Sequence, residues 1–102
     1  MPGDSSLVNG RRLQELVRDI VAEVLVISPE AVTPDAALVR DLGAESIDFM
    51  DLVFRLEEAL ETRIPYTRWQ RFLETRLAGA DLSIAITPEV VRAFAEEERA
   101  KT

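Results

Sequence analysis

Apolar residues recur at Leu13, Leu16, Val17, Ile20, Val21 and Val24, a series of i, i+3, i+4, i+7, i+8 and i+11 that draws one stripe along an α-helix. The following ISPEAVTPDAALVRDLG breaks that period with two prolines and mixed polarity, which predicts a long loop. Within it, SPEAV or PDAAL can each form a single helical turn. A second helix is predicted from near Ser46 to about Thr62, because Pro65 disfavours helical geometry in the residue before it. YTRWQRFLETRLAG spaces Trp69, Phe72, Leu73 and Leu77 as a third helix, with Gly79 as its stop. TPEVVRAFAEEERAKT opens with Thr87 at a cap and Pro88 at the first helical position, so a fourth helix follows, its polar last residues expected to fray. GADLSIA between the two reads equally as a loop or an extended stretch. With no strand pattern, no internal repeat and no dividing linker, the expectation is one all-α domain over residues 1–102. Its core is expected at about 8–80 and its C-terminal helix at about 87–99.

The second helix carries more apolar residues than one buried face can use. At 100° steps, Phe49, Leu52, Val53, Leu56 and Leu60 cluster on one side and can supply the core face. Ile47, Met50 and Phe54 fall on the roughly opposite side. Asp51 and Glu58 flank that second stripe on one side, Glu57 on the other, and Glu61 closes its end. Packed by its first stripe, the helix shows solvent a narrow apolar strip rimmed with carboxylates, which suits a docking surface for a basic partner. The plainer reading is that the third or fourth helix covers the strip, Phe54 first.

Composition narrows the chemistry. The 102 residues hold 12 basic and 19 acidic side chains, a net charge of −7, which argues against nucleic acid and anionic lipid and for basic protein partners. No apolar run approaches a membrane span, and MPGDSSLVNG lacks the regions of a secretory signal. Neither cysteine nor histidine occurs, so disulfides, thiolate chemistry, a Ser-His-Asp triad and a His-based zinc site are excluded, and a cytoplasmic setting is expected. IDFMDLV does not match a calcium loop, and no phosphate-binding glycine loop is present. No catalytic or metal-ligating set is expected.

Ser46 stands where that helix begins. A serine there most often caps the helix, in which case Ser46→Ala loses up to about 1 kcal/mol. Three features weaken that reading: the turn at Gly43 exposes the corner, the strip of Ile47, Met50 and Phe54 starts beside it, and no histidine exists to make it a nucleophile. Helix N-terminal N–H groups favour a phosphate at that point, so Ser46 reads as the acceptor of a phosphate-linked group.

These residues resemble the acyl carrier protein family, whose motif is an LG-x-[DE]-S-[LI] turn opening an acidic helix; LGAESIDFMDLVFRLEEAL and the closing IP at Pro65 follow it in order. The resemblance covers roughly residues 10 to 65. It implies a small four-helix bundle, here with an extended C-terminal helical region. It also implies 4'-phosphopantetheine on Ser46, attached from coenzyme A by a phosphopantetheinyl transferase. Ile47, Met50 and Phe54 match the family's apolar contact positions, and Asp48, Asp51, Glu57 and Glu58 its acidic ones. Implied partners, besides the transferase, are acyl-loading ligases, ketosynthases or acyltransferases with basic docking patches, in fatty-acid, lipid or polyketide synthesis.

Two departures stand out. Glu45 precedes the serine where the family usually has aspartate, at a position expected to face the transferase. Residues 63 to 77 carry Arg63, Arg68, Arg71 and Arg76 against Glu74 alone. With Trp69 soon after the IP and the added helix, this is similar to specialised carriers of very-long-chain acyl groups for lipid A. Trp69 itself reads as a core residue of the third helix. The arginines read either as a solvated face pairing with second-helix carboxylates or as a docking or self-association patch. An aminoacyl or peptidyl carrier and an unmodified helical adaptor remain as rival readings. The short flanks favour a free-standing carrier.

Overall fold

The computed structural model describes residues 5–101, with side-chain surroundings from Arg12 onward. The outer limits of the domain at residues 1–4 and 102 lie outside the described residues. Five α-helices, α1 (Ser5–Leu25), α2 (Ser46–Leu60), α3 (Tyr66–Arg76), α4 (Leu82–Ala85) and α5 (Pro88–Ala100), make an all-α bundle without a strand among the described residues.

The stripe of α1 does what its spacing requires: Leu13, Val17, Ile20 and Val21 are buried, while Leu16 and Val24 are partly buried against the same core. The helix ends in a paired turn, Ile27 N–H donating to the Ala22 carbonyl (3.0 Å) and Val26 N–H to that of Glu23 (3.4 Å). That geometry wants a left-handed residue, usually glycine, yet Val26 sits there at φ 56° with its side chain 87% exposed. Glu61 closes α2 in the same way at φ 54°.

The long loop forms one 3-10 turn at Pro29–Ala31, in the SPEAV stretch, while PDAAL makes only a tighter turn, Ala36 N–H to the Thr33 carbonyl (3.1 Å). The loop is structural rather than slack, since Val32, Ala37, Leu38 and Ala44 are buried. GADLSIA settles as neither loop alone nor strand: Asp81 accepts from Ser83 N–H (3.0 Å) and starts the single turn of α4. Leu38 N–H donates to the Ile86 carbonyl (2.9 Å) and Arg40 N–H to that of Ser83 (3.0 Å). Backbone groups of both irregular segments thus satisfy one another, as buried polar groups must.

Four aromatic rings join α2, α3 and α5. Trp69 stacks on Phe49 at 6.0 Å between centroids and meets Phe94 edge-on at 5.1 Å, with Phe72 against both Trp69 and Phe94. Trp69 is 1% exposed, so its core reading holds. The core runs past residue 80 to take in Ile86, Val91, Phe94 and Ala95, and α5 packs on α1. The expected fraying of the polar C-terminal end is not found: α5 stays helical to Ala100 because Glu98 is 3% exposed and held by Arg68 of α3 and by Lys101.

Because Val26 makes a strained left-handed turn without burying its side chain, Val26→Gly is expected to raise stability by about 0.5–1 kcal/mol. Urea or thermal unfolding checks this, and an unchanged or lowered midpoint contradicts it.

Candidate functional site

The corner that presents Ser46 is built by the chain immediately before it. Gly43 turns at φ 78° with no atom within 4 Å of where a Cβ would stand, so conformation rather than space calls for glycine. Gly43 N–H donates to the Val39 carbonyl (3.1 Å) and Ala44 N–H to that of Leu38 (2.8 Å). Asp41 braces the turn, accepting from Ala37 N–H (2.9 Å) and from Arg40 Nε (2.9 Å). The Arg40 hydrogen bond, then that from Ala37, holds the Asp41 carboxyl below its usual range.

The plainer reading of Ser46 as the helix cap does not hold. Glu45 is the cap, in extended backbone at φ −112° and ψ 168°, and Ser46 is the first helical residue. Asp48 reaches back so that Glu45 N–H donates to its Oδ2 (2.8 Å), while Asp48 N–H donates to the Glu45 carbonyl (2.9 Å). With that work done by its neighbours, the exposed Ser46 hydroxyl makes no hydrogen bond among the described residues. No histidine exists to activate it. The N–H groups of Ser46 and Ile47 open the helix without a protein acceptor among the described residues. A free hydroxyl beside two unspent donors fits a phosphodiester.

The strip is open. Ile47, Met50 and Phe54 are 68%, 57% and 55% exposed, and neither α3 nor α5 covers them. On the opposite face Phe49, Leu52, Val53 and Leu56 are buried, with Leu60 partly so. The carboxylates around the strip are less alike than their charge implies. Asp48 is spent on the cap, and Glu57 accepts from Ile64 N–H (3.0 Å), closing the turn after α2. Asp51 pairs with Arg55 (3.1 Å), which also reaches Glu23 of α1 (3.1 Å). Glu58 and Glu61 pair with no cation among the described residues. Arg55 is the residue that sequence reasoning passed over; its i, i+4 spacing from Asp51 was the available signal.

Beside the start of α2 lies an apolar crevice of about 10 Å³, lined by Ala44 and Asp48 together with Val21, Leu25, Leu38 and Leu52. Phe49 lines it too, and the Phe49–Trp69 stack backs that side.

A family model described as the phosphopantetheine attachment site matches residues 15–68. The chain is 44% identical over 57 residues to an acyl carrier protein of Campylobacter curvus (strain 525.92), covering 56% of this chain and 74% of that protein. It is 40% identical over 53 residues to the acyl carrier protein AcpXL of Brucella melitensis biotype 1, and equally to that of Brucella suis biovar 1. Those matches cover 52% of this chain and span 57% of the Brucella proteins' length.

Since Asp48 rather than Ser46 serves the helix start, Asp48→Ala is expected to cost about 1 kcal/mol and Ser46→Ala to stay within about 0.5 kcal/mol of the parent. Paired urea titrations check this, and the reverse order contradicts the cap assignment.

Proposed function

The chain belongs to the acyl carrier protein family, and from there we propose that Ser46 carries its arm and that the strip of α2 receives its partners. The cofactor is a covalently bound 4'-phosphopantetheine, and the relatives are carriers rather than catalysts. The observation that supports Ser46 is its hydroxyl, exposed at the first position of α2 and free of hydrogen bonds among the described residues. Under a phosphopantetheinyl transferase, Ser46 Oγ gives up its proton and attacks the phosphopantetheine-side phosphorus of coenzyme A, forming a phosphodiester as the pyrophosphate bond breaks and adenosine 3',5'-bisphosphate leaves. The bound arm supplies a thiol on which acyl groups ride as thioesters.

The protein's own part is positioning. The braced turn and the α2 N-terminus hold the attachment point at a corner, and tethering raises the local concentration of acyl group at each visited enzyme. Ile47, Met50 and Phe54 give apolar contact, while Glu45, Asp51, Glu57 and Glu58 rim it, with Asp48 acting chiefly through the cap. Ligases, ketosynthases or acyltransferases with basic patches are the fitting partners, and brief, charge-steered docking suits a carrier that visits several. The crevice beside Ala44 gives the first part of an acyl chain a dry lodging only if side chains move, since about 10 Å³ is scarcely more than a water molecule's room.

Among the described residues no helix is long and apolar enough to cross a membrane, and we place the carrier in the cytoplasm, in fatty-acid, lipid or polyketide synthesis. The Trp69-bearing α3 and the added α5 support the specialised, very-long-chain reading.

Incubation with coenzyme A and a broad-specificity phosphopantetheinyl transferase is expected to add one phosphopantetheine to the parent and none to folded Ser46→Ala, read by intact mass. A gain on Ser46→Ala would falsify the site. Met50→Glu is expected to accept the arm normally and to lower kcat/KM for acyl transfer to a cognate enzyme at least about tenfold, the scale of a contact worth some 1.4 kcal/mol. Unchanged transfer would remove the strip from the docking surface.

A further inference from the structure

A cationic surface lies on the other side of the core from the strip. Arg68, Arg71 and Arg76 of α3 and Lys101 after α5 line a groove of about 400 Å³, with Phe72 and Phe94 among its walls. Of the two readings of these arginines, pairing with α2 carboxylates is not met by Arg68, Arg71 or Arg76. Arg68 binds the buried Glu98 of α5 (2.7 Å), Lys101 binds the same carboxylate (3.1 Å), and Arg76 pairs with Glu97. Four cations thus face two carboxylates in a protein whose net charge is −7.

Arg71 is exposed and has no acidic partner among the described residues. Arg76 lies 5.3 Å over the Phe72 ring, so its guanidinium plane is set by a ring as well as by Glu97. Held this way, the Arg68 and Arg76 guanidinium groups lose little freedom when they meet an anion, which favours specific over loose attraction.

We propose that the α3–α5 groove is a second docking surface, and that its occupant is a short acidic segment of a partner protein. Charge complementarity selects this occupant. A nucleic acid backbone carries a charge at every nucleotide and would run beyond these four cations onto a surface of net charge −7, whereas a short acidic segment needs only the groove. A second copy offers its own acidic α2. That contact joins two different faces, so it builds a ring or an open chain and would bury the strip of each copy in turn. An acidic partner segment leaves the strip free, and the two surfaces then accept partners of opposite charge. Loading of Ser46 is not needed for this surface to work.

The test uses the full chain bearing its arm, labelled with nitrogen-15, and two acetylated 14-residue peptides, one of Glu and Leu and one of Lys and Leu. The Glu/Leu peptide is expected to shift the amides of Arg71, Thr75, Arg76 and Lys101 and the Trp69 indole, while the Lys/Leu peptide shifts α2. Arg71→Glu is expected to weaken Glu/Leu binding about tenfold or more, with thermal midpoint and arm loading unchanged. Shifts spread evenly over Arg12, Arg40 and Arg63, or an Arg71→Glu protein that binds as the parent does, overturn the proposal. Joint shifts of α2 and α3 on concentrating the protein alone assign the groove to a second copy and overturn the partner reading. A failure to load Ser46 leaves the Glu/Leu outcomes readable, because that peptide is expected on α3 and α5, away from Ser46.

Discussion

The stacking of Phe49 on Trp69 decides which way α2 faces. Phe49 lies on the core stripe, and Trp69, Phe72 and Phe94 close around it from α3 and α5. Such a ring cluster buries large apolar area and adds directional ring contacts, so rotating α2 would sacrifice more than its exposed stripe could regain. Ile47, Met50 and Phe54 therefore remain in water by necessity, on a helix whose other side is already committed. An apolar strip that a protein leaves exposed under these terms is available to partners.

The start of the same helix shows a division of labour among neighbours. A helix N-terminus must satisfy its free N–H groups or leave them for something else. Here Asp48 and the Glu45 backbone take the capping, and Asp41 with Arg40 stiffens the turn before it. Ser46 is thereby relieved of structural duty at the one position where its hydroxyl meets both solvent and unspent donors. A serine that capped would have to exchange that hydrogen bond for any modification; this one does not.

Charge is sorted by side as well as by amount. Along α2 and its cap, Glu58 and Glu61 pair with no cation among the described residues, whereas Asp51 is balanced by Arg55 and through it tied to α1. Behind the core, α3 and α5 exchange ion pairs that fasten the last helix to the bundle through the buried Glu98. Removing either partner of that pair would leave a charge in a poorly solvated place, which costs more than an exposed bridge gains. The same ion pairs that secure α5 also hold the Arg68 and Arg76 guanidinium groups of the groove in position.

Local pattern was enough for much of this. The periodicity of α1, the two stripes of α2, the Thr87–Pro88 start of α5 and the serine after the Gly43 turn depend on residues within a few positions of one another, and backbone geometry translates such spacing directly into faces and ends. The single turn of α4 was not legible because its four residues carry no period; it exists through Asp81 and through pairing with a loop forty residues earlier. Which residue caps α2 was ambiguous, since Ser46 and Asp48 both suit the task and only the placed side chains show that Asp48 does it. Arg68 and Arg76 of α3 found Glu98 and Glu97 rather than α2, an outcome set by how two helices separated by a loop and α4 come to lie side by side. Sequence alone determined the helices, their faces and the exposed serine, because these are short-range properties. Tertiary structure decided which charges are spent and which remain, because a long side chain's partner depends on what folding brings within its reach.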